Sequence, residues 1–327
     1  MVDLPFSICF WNYDRTNPLL DGRVTVAGAA PDFTIRSPVE NFPSTFTESP
    51  FDVTEMSFSN YMTAYADGRS PYTAIPVFLS RTFRHGAIFI RTDRGITEPR
   101  DLEGKTVGLV EYDMTAAVVV RGLLRDEYGV DTTKIRWRVG DPEVPWREKI
   151  PIPDVPDGTD VAPVADGRTL NEALASGALD ALCGIEPPSC FTAGAPGVDR
   201  LFPDWRSVER DYFARTGIFP IMHAIGIKRE LLDANPWLAV SLMEAFESAK
   251  DLALRELAVM NAPKATLPWV AAELQATKNV MGEDYWPYGI DKNRSILETL
   301  IKYSFEDGLT SRRLGIDELF APSMLDT

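Results

Sequence analysis

The chain has 327 residues, 45% of them hydrophobic, and a formal net charge of −15. That is enough apolar material for two domains or one large α/β unit, and too much negative charge for nonspecific binding to nucleic acid or docking on an anionic membrane. An acidic protein can still take an acidic small molecule where arginines and helix N-termini gather locally.

In chain order, MVDLPFSICFWNYDR opens without the basic start and small-residue cleavage site of a secretory signal. No apolar run approaches the roughly 18 residues that span a membrane, so a cytoplasmic location is expected. Residues 6–10 read as a strand, and FDVTEM (51–56) as another, followed by SFSNYMTAYADG with helical spacing that ends at Gly68. TVGLV (106–110) precedes EYDMTAAVVVRGLLRDEYG, where Ala116, Val119, Val120, Leu123 and Leu124 share one helical face and Gly129 suits the C′ position. Residues 141–167, with PEVPWREKIPIPDVPDG at their centre, read as a long ordered excursion. ALDALCGI (178–185) runs into EPPSCF, and beyond Arg229 the pattern is mostly helical. The repeated strand-then-helix order predicts a parallel sheet covered on both faces. The helical last third offers surfaces on which a homo-oligomer could form.

Ligands of open α/β sheets sit at the C-terminal ends of strands. Four such turns are legible: WNYDR with Arg15, EMSFSNY with Glu55 and Ser57, EYDMT with Glu111, Tyr112 and Thr115, and EPPS with Ser189. Each has a plainer reading, since Ser57 and Asp113 are good N-caps. None is glycine-rich, so a phosphate cradle or dinucleotide site is not expected. G-x-S-x-G, H-E-x-x-H and EF-hand patterns are absent. Three cysteines, Cys9, Cys183 and Cys190, form no C-x-x-C pair and read as small buried hydrophobes. With two histidines, no histidine-rich metal site is expected, although carboxylate-bound Mg²⁺ or Mn²⁺ is compatible with the sequence.

Those two histidines are His85, in SRTFRHGAIFIR, and His223, in MHAIGIKRELL. Arg81 and Arg84 flank the first. On a regular strand Arg81 and His85 would share a face and Arg84 would oppose them, unless the chain kinks near Gly86.

RDLEGKTVGLVEYDMT and ASGALDALCGI resemble recurring segments of type II solute-binding proteins. Longer stretches, among them IPVFLSRTFRHGAIFIRTDRGI, RTGIFPIMHAIGIKRELL and MGEDYWPYGIDKNR, resemble the 4,5-dihydroxyphthalate decarboxylase family over nearly the whole chain. The resemblance implies a two-lobed α/β fold of the type II periplasmic-binding-protein kind. Residues 1–84 plus 228–327 would form lobe 1 and 85–227 lobe 2, with a ligand cleft between lobes joined by crossover strands at 84–91 and 222–232. Each crossover would bring one histidine.

It also implies a carboxy-lyase that works without an organic cofactor and takes 4,5-dihydroxyphthalate, a small aromatic carboxylate, to protocatechuate and CO₂. Such a reaction needs a proton donor, a base at a phenol and cations for carboxylates. On that implication His85 is the expected donor, with His223 orienting a hydroxyl or exchanging roles with it. Glu55 or Glu111 would be the base. Arg81 or Arg84 would hold a carboxylate, and Arg15, Ser57, Tyr112, Thr115 and Ser189 would complete the binding set. The alternative is a cytoplasmic solute-binding-like protein or sensor that holds an aromatic acid without chemistry.

Overall fold

The computed structural model describes residues 3–145 and 152–327. Its strands are β1 (Leu4–Phe10), β2 (Ala29–Ile35), β3 (Val53–Ser57), β4 (Tyr72–Arg81), β5 (Ile88–Arg91), β6 (Thr106–Leu109), β7 (Arg136–Val139), β8 (Val161–Pro163), β9 (Ala181–Cys183), β10 (Val198–Arg200) and β11 (Ile221–Lys228). The helices are α1 (Asn17–Leu20), α2 (Pro38–Thr45), α3 (Phe58–Ala66), α4 (Thr115–Tyr128), α5 (Leu170–Ser176), α6 (Ser189–Thr192), α7 (Trp205–Thr216), α8 (Arg229–Ala234), α9 (Leu238–Leu257), α10 (Val270–Met281), α11 (Arg294–Glu306) and α12 (Ile316–Leu319). No described helix is long and apolar enough to cross a membrane.

The chain divides into two compact units. The first takes the described residues up to Arg81, then Phe213–Glu298 and Leu314–Thr327; the second takes Thr82–Tyr212 and Thr299–Arg313. The expected change of lobe at 227/228 falls inside β11. That strand is hydrogen-bonded into the first unit's sheet between β3 and β4, so the change comes earlier, within α7. The central part of the expected proline-rich excursion, residues 146–151, lies outside the described residues.

In the first unit the sheet order is β2-β1-β3-β11-β4. β1 runs parallel to β2 and β3, whereas β11 is antiparallel to both its neighbours. The sheet is therefore mixed, not parallel as the strand–helix alternation suggested. β2 was not legible in the sequence: Pro31 interrupts its pattern, and it is tolerated because β2 is an edge strand. Helix α9 packs Leu238, Ala239, Leu242, Met243, Phe246, Ala249 and Ala253 inward at three- and four-residue spacing.

In the second unit the order is β10-β5-β9-β6-β7-β8. β6, β7 and β8 are parallel, and β5 is antiparallel to both β9 and β10. Helix α4 buries the predicted face and stops at Gly129, whose left-handed φ of 62° a side chain would strain. Arg121 of α4 is fully buried, stacks 3.7 Å over the Tyr112 ring and pairs with Asp307 at 2.7 Å.

Residues 84–91 are not one strand. A 3₁₀ turn at His85–Ala87 precedes β5. At Gly86 a Cβ would lie 2.8 Å from the Trp205 ring, so the backbone turns where only glycine fits. The three cysteine thiols are free and buried; burial pushes Cys9 up to about 11 and Cys183 to about 12, which makes both inert.

Candidate functional site

The first unit gathers a polar cluster at the end of β3. Glu55 is the middle residue of that five-residue strand and is almost fully buried. On the antiparallel neighbour β11, His223 lies opposite Ser57 and Ile225 opposite Glu55. His223 and Glu55 are thus diagonal neighbours on one face, a spacing long side chains can bridge. They do so at 2.7 Å, from Nδ1 to Oε1.

The turn after β1 supplies the rest. The Tyr13 hydroxyl donates to Glu55 Oε1 at 2.7 Å, and the Trp11 backbone N–H donates to Oε2 at 3.0 Å. Thr16 is fully buried and pins the turn, donating to the Trp11 carbonyl and accepting from the Tyr13 N–H, both at 3.0 Å. Burial alone would push Glu55 up. The hydrogen bond and charge of His223, with the Trp11 and Tyr13 donors, outweigh it and hold the carboxyl below its ordinary range. The Tyr13 phenol moves the other way, raised by burial and by the adjacent Glu55 charge.

An ionised Glu55 has no proton to give, so His223 Nδ1 must be the donor between them. That fixes the ring: Nε2 is the end left for another partner, an acceptor in the neutral imidazole and a donor in the cation. The Phe42 ring packs edge-on against the imidazole at 4.8 Å and holds its plane. The His223 side chain keeps 16% of its exposure, against 1% for His85.

A break in strand pairing builds the cationic side of the cluster. Between the pairs His223–Ser80 and Ile225–Ile75, β11 advances two residues while β4 advances five. Pro76, inside this stretch, has no N–H for the ladder. The bulged residues turn their carbonyls outward instead. Pro76 O accepts from Gly289 N–H at 2.9 Å, Phe78 O from Trp286 Nε1 at 2.9 Å, and Leu79 O from Arg15 Nε at 2.7 Å and from Arg15 Nη2. Arg15 lies sandwiched, 4.1 Å over the Tyr13 ring and 4.3 Å from the Trp286 ring. Its Nη1 also reaches Asp14 at 3.1 Å. Among the described residues these three bonds use three of the guanidinium's five N–H donors, and its planar fork is of the kind that suits a carboxylate. Bulges next to functional side chains re-aim them, and this one sets both His223 and Arg15.

The other expected residues are placed differently. Arg81 also belongs to the first unit, but it is tied down. It donates to Phe219 O at 3.1 Å, to Pro287 O at 2.7 Å and to Asn293 Oδ1. Clamping a substrate carboxylate would cost those bonds. Ser57 hydrogen-bonds Asn60 at the start of α3. Arg84, His85, Glu111, Tyr112, Thr115 and Ser189 belong to the second unit. Arg84 is buried. The His85 ring sits among Tyr128, Phe202 and Tyr212, with centroids 6.1, 5.4 and 5.2 Å away.

Glu209 accepts the Gly86 N–H at 3.1 Å and stands 4.0 Å from His85 Nδ1. Tyr112 lies beneath Arg121, and Thr115 opens α4 after Met114, which holds the cap position expected of Asp113. Ser189 N–H and Oγ both donate to Glu143, at 2.8 and 2.7 Å. Among the described residues, no group of three or more His, Cys, Asp or Glu side chains could hold a metal ion.

Sequence reasoning missed Trp286 as the lid on Arg15 and the bulge carbonyls that orient it. The only signal for either was Pro76 inside an otherwise apolar strand.

The fold is that of the periplasmic binding proteins. The aliphatic sulphonate binding protein SsuA of Escherichia coli superposes with a TM-score of 0.54 at 14% identity, covering 99% of each chain. No protein-family model matches the sequence. Full-length comparison is more specific. The 4,5-dihydroxyphthalate decarboxylase of Comamonas testosteroni is 41% identical over 328 aligned residues, covering 100% of this chain and 99% of its own. The enzyme of the same name from Pseudomonas putida is 42% identical over 214 residues, 65% of this chain and 83% of its own. The chain belongs to the 4,5-dihydroxyphthalate decarboxylase family.

Proposed function

We propose that this protein removes one carboxylate from 4,5-dihydroxyphthalate, giving protocatechuate and CO₂, and that the first unit's Glu55–His223–Arg15 cluster does the work. The observation that carries the assignment is the 2.7 Å contact of His223 Nδ1 with a buried, ionised Glu55, which leaves Nε2 for another partner. Non-oxidative loss of CO₂ from an electron-rich ring begins with protonation of the carbon that bears the leaving carboxylate. The imidazolium of His223 delivers that proton from Nε2. The C–CO₂ bond then breaks, its electron pair restores the aromatic ring, and neutral His223 takes up a proton from solvent. The hydroxyl para to the reacting carbon supplies electron density during the step.

Glu55 is better suited to holding His223 than to acting as the phenol's base. Its lone pairs already receive His223, Tyr13 and Trp11, and its depressed pKa makes it a weak proton acceptor. Bonded to the Nδ1–H edge of the ring, opposite the Nε2 that gives up its proton, it stabilises the imidazolium, as the third member of a catalytic triad does. Arg15 supplies the cation for a carboxylate. A positioned acid contributes roughly 10²–10⁴-fold, and orientation by Arg15 the larger remainder.

The test is direct. Purified protein, treated with chelator and again with Mg²⁺ or Mn²⁺ restored, is mixed with 4,5-dihydroxyphthalate while protocatechuate and CO₂ are followed. Formation of both in stoichiometric amounts is expected. Tight binding without product would replace this reading with a ligand sensor, and neither binding nor product would move the search to other hydroxylated aromatic acids.

A further inference from the structure

The segment Asp284-Tyr285-Trp286-Pro287-Tyr288 contributes more than a lid on Arg15. The segment and the Gly289 that follows it are held along β4 by three bonds: Trp286 Nε1 to Phe78 O, Arg81 Nη2 to Pro287 O, and Gly289 N–H to Pro76 O. Lys250 Nζ reaches the Trp286 carbonyl at 3.3 Å and lies 4.7 Å from the centre of the Tyr288 ring. These contacts fix Tyr288 at 3% exposure. Its hydroxyl nevertheless finds no hydrogen-bond partner among the described residues. A buried hydroxyl with nothing to bond carries a penalty that folded proteins seldom leave in place without a use. The charged groups acting on this phenol are Arg15, Arg81, Asp14 and Glu55, the same groups that surround the candidate site. Arg81 Nε, on another of those charged groups, also has no acceptor among the described residues.

We infer that Tyr288 is a substrate-positioning residue: its hydroxyl donates to the carboxylate that Arg15 holds, the one retained through the reaction, and so selects ring acids with a second carboxylate beside the reacting one. A buried phenol whose surrounding charges include two guanidinium groups is a donor matched to an anion, and a neutral ligand would leave both cations uncompensated. The inference rests on the reading of this cluster as a site for an aromatic dicarboxylate.

Tyr288→Phe tests it, because it removes the hydroxyl and keeps the ring. If the hydroxyl serves only the apo fold, deleting an unpartnered group leaves kinetics unchanged and stability equal or higher. On the inference, KM for 4,5-dihydroxyphthalate rises about 10–100-fold, the range of a hydrogen bond to a charged group, with kcat within a few-fold. Affinity for phthalate, measured by calorimetry, falls by the same factor, while catechol binding is unmoved. Unchanged KM and phthalate affinity overturn the inference and leave the decarboxylation reading standing. Conversely, a protein that never turns over but binds phthalate through Tyr288 keeps this inference and loses that reading. Should Y288F fail to fold, 3-fluorotyrosine at position 288 of the otherwise native chain gives a ¹⁹F resonance. The resonance shifts on phthalate addition if the inference holds, and a static one overturns it.

Discussion

His223 and Glu55 meet at 2.7 Å, whereas His85 and Glu209 stand 4.0 Å apart. Both pairs are made of the same two residue types, and each glutamate is largely buried, yet the glutamates respond in opposite directions. Glu55 is held low because three donors converge on it. Glu209 is pushed up by burial, and the backbone N–H groups of Gly86 and His85 with the charges of Arg200 and Arg84 do not offset it. The imidazoles differ in the same sense. His223 keeps 16% of its side-chain exposure with Phe42 edge-on to the ring, while His85 keeps 1% and lies among three aromatic rings. Residue identity alone therefore does not separate the two pairs; the donors on the carboxylate and the exposure of the ring do.

The largest expected difference is in turnover. His223→Gln should lower kcat for 4,5-dihydroxyphthalate about 10²–10⁴-fold with KM within a few-fold, because it removes the acid and keeps the shape. His85→Gln should leave kcat within about tenfold and reduce thermal stability instead. The reverse pattern, with H85Q folded but dead and H223Q active, would exchange the roles assigned to the two rings.

Much of this contrast lay in view in the sequence, and its decisive part did not. Glu55 and His223 each stood out, one as a carboxylate at a strand end and the other as one of two histidines. The strand at β1 and the α4 helix with its Gly129 stop were legible because apolar spacing and a left-handed cap are local signals. What decides between the histidines is non-local. His85 is enclosed by residues from α4, the 201–203 region and α7, and nothing near Arg84-His85-Gly86 announces them. The offset between β4 and β11, which turns Leu79 O toward Arg15, depends on pairing partners roughly 140 residues apart in the chain. Among the arginines expected to bind, Arg81 is committed to the carbonyls of Phe219 and Pro287 and to the Asn293 side chain, whereas Arg15, from a different turn, is bonded to Leu79 O and packed against Tyr13 and Trp286.

A second, smaller effect separates the two glutamates by pH. Glu55, with its native pKa depressed, contributes stability that is present above the ordinary carboxylate value of about 4.3 and is lost as pH falls through its native value. Glu209, with its native pKa raised, has the opposite sign. It is most favourable below about 4.3 and becomes a cost as pH rises through its native value. Glu55→Gln should therefore destabilise the protein at neutral pH by about 1–3 kcal/mol, the cost of a lost buried acceptor, and the deficit should shrink in acid. Glu209→Gln should be neutral or stabilising at pH 7, with the gain vanishing in acid. Urea unfolding between about pH 3.5 and 7 reads both slopes, and parallel pH profiles for the two variants would remove the distinction drawn between the pairs.

The smallest effect concerns two stacked arginines. Arg15 is held between Tyr13 and Trp286 in the first unit, and Arg200 packs 5.0 Å from Phe89, 5.0 Å from Phe191 and 5.6 Å from Trp205 in the second. Arg200 spends its guanidinium on the Gly86 carbonyl, so its aromatic partners serve the fold. For Arg15, Leu79 O fixes one edge, and the two rings fix the plane in which the remaining fork meets a carboxylate. Trp286→Leu removes one face of that sandwich. A cation–π contact at a partly exposed site is worth about 1 kcal/mol, so KM should rise about fivefold while kcat holds, since the reacting carbon is not touched. Trp205→Leu should lower stability and leave KM where it was. A fall in kcat with unchanged KM in W286L would place Trp286 against the reacting ring, and equal kinetic losses in both variants would mean that the stacks act only through folding.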